Sequence, residues 1–169
     1  MTHPILTDPS SLYYYDGRRK IPLDLDTTRC VVEYSKLKAH LDEERLSVIC
    51  NEEHGLSNEL YLIPRSILTA DELARLEGLK LIEPIFSAAG GHIIVTKEMF
   101  CSGKVSDAIV KYANLLGVSR CRQDRTIPGL VVESGRALDV LAIANELTEH
   151  FPALTFTPCF IRLMKNPRP

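Results

Sequence analysis

Three tyrosines at 13–15 are followed by a polar run that opens on Asp16-Gly17, and apolar residues then fall at every second position, Ile21, Leu23 and Leu25. Asp-Gly between alternating apolar stretches marks a β-hairpin, because its turn needs residues that accept positive φ. The pattern predicts an aromatic strand, a turn, and a strand carrying Ile21, Leu23 and Leu25. Residues 28–34 (TRCVVEY) then read as a strand rich in β-branched positions. Residues 35–44 switch to helical spacing, with Leu37 and Leu41 four apart. Residues 46–50 (LSVIC) and 59–64 (ELYLIP) read as strands joined by the polar loop NEEHGLSN. Thr69, followed by Glu72, forms the signature of a capping box and starts a helix over 68–79 with Leu73 and Leu76 inward and Gly78 near its stop. Residues 80–86 (KLIEPIF) return to strand.

After the small-residue joint 87–91 (SAAGG) the order repeats. Residues 92–103 give two strand pieces. A helix over 104–117 has Ser106 as N-cap, Val105, Ile109, Tyr112 and Leu116 on one face, and Gly117 at its end. Strands at 118–123 and 129–134, a helix at 136–150 and a strand at 154–163 complete it. Each half therefore reads β-α-β-β-α-β, and each closes on a Pro-Phe strand, IEPIF at 82–86 and FTPCF at 156–160. Proline donates no ladder hydrogen bond, so Pro84 and Pro158 belong on an edge or at a bulge. The expected architecture is α+β: two tandem ferredoxin-like units with antiparallel sheets, plus an N-terminal β-hairpin. The expected division is a flexible stretch over 1–12, a first unit with the hairpin over 13–89, and a second unit with a C-terminal tail over 90–169.

The last strand adds one functional clue. Leu154, Phe156, Pro158 and Phe160 share one side, and Thr155, Thr157, Cys159 and Ile161 the other; neither side is charged. A sheet backed by helices on one face normally shows polar residues on its open face. The open side of the second sheet is therefore expected to be covered, by the chain itself or by a partner.

Composition narrows the function classes. The chain has 169 residues, 45% hydrophobic and 25% charged, with a net charge of −2 and no long run of one sign. A general nucleic-acid binder would carry a basic stripe, so no nucleic-acid partner is expected. No apolar run approaches the roughly 20 residues that span a bilayer, and the N-terminus lacks the basic-then-apolar layout of a secretory signal; a cytoplasmic chain without a membrane partner is expected. The five cysteines form no C-x-x-C pair and sit in apolar stretches, as reduced core thiols would.

No catalytic constellation stands out. The histidines at 3, 40, 54, 92 and 150 are scattered. Glu52, Glu53 and His54 are adjacent, and adjacent side chains rarely converge on one ion. CSGKVS at 101–106 lacks the earlier glycine of a phosphate-binding loop. Tyr13, Tyr14 and Tyr15 are capable of stacking on bases, yet Arg18, Arg19 and Lys20 are balanced by Asp16, Asp24 and Asp26; aromatic cover of an edge strand suffices. No enzyme, cofactor or metal is expected.

Four stretches carry a family likeness: YYYDGRRKIPLDLDTTRCVVEY at 13–34, PIFSAAGGHIIVTKEMFCSG at 84–103, VSDAIVKYANLLGV at 105–118, and ALDVLAIANELTEHFPALTFTPCFIRL at 137–163. In order and spacing they resemble the N-terminal prodomain found ahead of some bacterial subtilisin-like serine proteases, over most of 13–163. Where that family usually has Glu-Pro-Asn-Phe, this chain has Thr157-Pro158-Cys159-Phe160, and no protease domain with its Asp, His and Ser motifs follows. A precursor fragment and a free-standing prodomain-like protein both fit. The resemblance implies a non-catalytic module that chaperones or inhibits a subtilisin-like serine protease, in cis or in trans. It implies docking by the second sheet, through Thr155, Thr157, Cys159 and Ile161 or the opposite face, and entry of the tail, Arg162, Leu163, Met164, Lys165 and Asn166, into the protease cleft by β-augmentation. The alternative is an adaptor or scaffold of an intracellular bacterial assembly that inhibits no protease.

Overall fold

The computed structural model describes residues 12–56, 59–88, 91–123 and 126–163. Elements follow in the order β1 (Tyr13–Asp16), β2 (Arg19–Pro22), β3 (Asp24–Glu33), α1 (Tyr34–Leu37), α2 (Glu43–Ile49), β4 (Leu60–Pro64), α3 (Ala70–Gly78) and β5 (Ile82–Ala88). They continue with β6 (Gly91–Cys101), α4 (Asp107–Leu116), β7 (Val118–Arg122), β8 (Gly129–Val132), α5 (Ala137–His150) and β9 (Phe156–Leu163). The fold is mixed α and β. β1 and β2 form a two-stranded antiparallel sheet, β3 pairs with β4, and β6 pairs with residues 86–88 of β5 and with β8 and β9, β7 lying on β8. The chain divides into two compact units, one of residues 25–85 and one of residues 12–24 with 86–163. The hairpin thus groups with the C-terminal half, a different division from the one expected at 89.

In the 25–85 unit the elements run β3-α1-α2-β4-α3-β5. The strand expected at 46–50 is instead the end of α2, so this half is not β-α-β-β-α-β. The physical reason lies just upstream. Asp42 is an N-cap whose carboxylate accepts from the Arg45 amide at 2.8 Å, with Glu43 and Glu44 in the first turn, where the helix dipole favours acids. Leu46 and Ile49 then fall three apart and both are buried. Asp42 also ends the helix expected across 35–44, which survives only as the single turn of α1. The capping box of α3 forms as expected, between Thr69 and Glu72. Glu72 also receives Arg45 in two contacts of 2.7 Å, tying the starts of α2 and α3 together. The Arg45 guanidinium holds the Glu72 carboxyl below its ordinary range. The core gathers Cys30, Val32, Leu37, Leu46, Ile49, Ile63, Leu68 and Leu76.

The other unit keeps the predicted order over its second stretch: β6-α4-β7-β8-α5-β9, with antiparallel pairings β6–β8, β6–β9 and β7–β8. Ser106 caps α4, and Gly117 ends it. The two strand pieces expected over 92–103 form one strand, β6, with an irregularity. Against β9, its register shifts between Val95 and Met99, beside the Met99–Pro158 pair. A bulge at this place accommodates the residue that has no amide to donate. α5 packs on β6 and β9, and α4 on β7 and α5. Met99, Leu130, Leu141, Leu147 and Phe156 are fully buried between helices and sheet.

β1 and β2 meet in the expected hairpin, with Asp16 opposite Arg19 and Gly17 at φ +61°, a conformation that glycine adopts without strain. Leu12 and Leu23 are buried beside it, joined by a Leu23 amide to Leu12 carbonyl bond of 2.9 Å. Residues 1–11, most of the stretch expected to be flexible, lie outside the described residues.

Candidate functional site

Directly opposed residues in an antiparallel sheet share a face. One row across the C-terminal unit reads Cys121–Leu130–Met99–Pro158. Leu130 and Met99 are fully buried, so this row faces the helices. The neighbouring rows point the other way: Arg122–Gly129–Phe100–Thr157, and Arg120–Val131–Glu98. They form an open face. Phe100 is 39% exposed there, far more than a core ring. Gly129 has a steric role: a Cβ at this position would lie 2.5 Å from Glu98 Oε1. The missing side chain lets the Glu98 carboxylate lie across the strand, 3.8 Å from Arg122 Nη1.

The sequence-predicted residues on β9 divide by position. Thr157 belongs to the open row with Phe100. Its hydroxyl, however, donates to the Tyr15 carbonyl at 3.0 Å, and the Thr155 hydroxyl donates to the Gly17 carbonyl at 2.9 Å. Both threonines thereby hold the N-terminal hairpin. Asn145 of α5 adds a third such bond, from Nδ2 to the Tyr13 carbonyl at 2.8 Å. The Tyr13 and Tyr15 hydroxyls both donate to Glu149 Oε1, at 2.7 and 3.0 Å, and Lys20 Nζ lies over both rings. Burial pushes the Tyr13 phenol up, and the Glu149 carboxylate adds to the shift. The hairpin is thus a strap fastened along β9 and α5 by side chains.

Cys159 is half-buried, beside the bulge, and Ile161 is 44% exposed opposite Ile94. Arg162 and Leu163, expected in the tail, extend β9 opposite Ile93 and His92. Met164, Lys165 and Asn166 lie outside the described residues.

The remaining polar features offer little convergence. Burial raises the thiol pKa values of Cys50, Cys101 and Cys121, and pushes Cys30 up to about 11, which disfavours the nucleophilic thiolate. Ser87 Oγ and His92 Nδ1 lie 3.1 Å apart as a cross-strand pair. Neither lines the open cleft of about 470 Å³ at the end of the sheet, whose lining carries one charged side chain, Lys104. Among the described residues no three His, Cys, Asp or Glu side chains are grouped to hold a metal ion, and no helix is long and apolar enough to cross a membrane.

Phe100, Arg120 and Arg122 are the face residues that sequence reading missed. Their signal was present: Phe100 alternates with Met99 and Cys101, and the two arginines flank Cys121. Comparison with family models, curated proteins and solved structures finds no match for the chain.

Proposed function

We propose that this chain is a non-catalytic, prodomain-like module that binds a subtilisin-like serine protease, in cis or in trans, through the open sheet face of its C-terminal unit. The carrying observation is that face: two adjacent rows of a helix-backed antiparallel sheet, with Phe100 exposed at the centre and Val131 and Thr157 around it. An exposed ring among uncharged neighbours, with charged residues toward the rim, is what a protein partner desolvates. The identity of the partner rests on the resemblance of 13–163 to subtilase prodomains. In this reading the unit of β6 to β9 is ferredoxin-like, supported by its β-α-β-β-α-β order and the strand order β9-β6-β8-β7. The chain after β9 enters the protease cleft as an added strand.

The test is inhibition of a subtilisin-type protease by the intact protein and by a version ending at Leu163, the last residue of β9. Tight inhibition by the intact chain, lost on truncation, is the expected result. A chain that is digested without inhibiting would favour the adaptor role instead.

A further inference from the structure

We infer that the partner surface meeting this open face carries carboxylates, placed to pair with Arg120 and Arg122 around an apolar patch that receives Phe100. The inference rests on the docking reading above and adds the chemistry of the partner. Arg120 and Arg122 sit two apart on β7, so both side chains leave the same face. Arg120 is exposed and has no ion pair among the described residues. Arg122 has one carboxylate, Glu98, at 3.8 Å, a long separation for a charge pair. The other residues of the two rows, Gly129, Val131, Phe100 and Thr157, carry no charge. The two rows thus hold two guanidiniums against one carboxylate, within a chain whose net charge is −2.

Guanidinium presents a planar fork of donors that fits a carboxylate in two parallel bonds. Arginine and aromatic residues are also the types that concentrate binding energy at interfaces. A single-stranded nucleic acid is the weaker fit, because such sites stack successive bases on several rings and these rows offer one. The Glu98 carboxylate, lying over Gly129 beside Arg122, occupies the position that an incoming acid would take.

The experiment measures inhibition of a subtilisin-type protease by the intact chain, Arg120→Glu and Arg120→Gln, from low to high salt. Arg120 is exposed, so both variants are expected to keep the wild-type melting curve. The expected result is inhibition weakened about tenfold or more by Arg120→Glu, less by Arg120→Gln, with wild-type inhibition falling as salt rises and the Arg120→Glu variant losing that dependence. Inhibition unchanged in both variants at every salt concentration would overturn the inference and leave the docking reading intact. Tighter inhibition by Arg120→Glu would overturn it by showing a basic partner surface. Binding of a fluorescent polyuridine RNA that Arg120→Glu abolishes would assign the face to nucleic acid. An intact chain that neither binds nor inhibits the protease would remove the docking reading itself, and the inference with it.

Discussion

Replacing Thr157 by Val keeps the side-chain shape and deletes one donor. The Tyr15 carbonyl, 3.0 Å away, then loses its partner. A neutral hydrogen bond of this kind contributes about 1 kcal/mol net. Thr155→Val deletes the matching bond to the Gly17 carbonyl at 2.9 Å, at a site 9% exposed, and should cost about the same. Both bonds fasten one hairpin, so the double variant should lose about 2 kcal/mol and no more than the docking energy of the strap. The strap should remain docked, because Leu12, Tyr15 and Leu23 are buried with it and each buried apolar side chain contributes about 1.5–3 kcal/mol. Urea unfolding reads the global loss, and amide hydrogen exchange over 13–22 reads the local one. Each kcal/mol should speed exchange there by about fivefold, with little change in α4. Wild-type stability and wild-type exchange over 13–22 in the double variant would refute the assignment of these hydroxyls to the hairpin.

Further expectations concern the other unit. Asp42→Ala should lower stability by about 1 kcal/mol in urea unfolding through loss of the α2 cap; no change would return 46–50 to a non-helical reading. Lys80→Gly should raise stability by about 1 kcal/mol. Lys80 sits at φ +59° just past α3, where its amide and that of Leu81 bond back to the Glu77 and Leu76 carbonyls; an unchanged or lowered urea midpoint would contradict this. Burial works against the Asp26 carboxylate, but bonds from Thr28 and Arg29 outweigh it and bring its pKa to about 2. Its folded pKa is thus depressed, so its stabilisation is present above about pH 4 and lost as pH falls toward about 2. Unfolding titrations of wild type and Asp26→Asn should converge across that interval; parallel curves would contradict the Asp26 assignment.

Local chemistry was legible in the sequence wherever it was decisive. Asp16-Gly17 wrote the hairpin, Thr69 with Glu72 wrote the start of α3, and Ser106 with Gly117 bracketed α4. At 46–50 the apolar run alone does not separate strand from helix, and the acid cap at Asp42, four residues earlier, decides for helix. The hairpin's grouping with the C-terminal unit is not legible locally, because its anchors, Asn145, Thr155 and Thr157, are more than 130 residues away in sequence. The candidate face was hidden for a related reason. Alternation shows that Phe100 leaves its strand on the side opposite buried Met99 and Cys101, and Arg122 on the side opposite half-buried Cys121. Only the register, shifted by the bulge at Val95 to Met99, brings them into one row with Thr157.

The most direct test of the central claim is a calorimetric titration of an active-site-blocked subtilisin-type protease with the intact chain and with Phe100→Asp. A blocked protease separates binding from digestion. Saturable one-to-one binding by the intact chain is expected, lost or strongly weakened in Phe100→Asp while its melting curve is retained. Equal binding by both proteins would place the interface elsewhere, and no binding by the intact chain would contradict the proposed function.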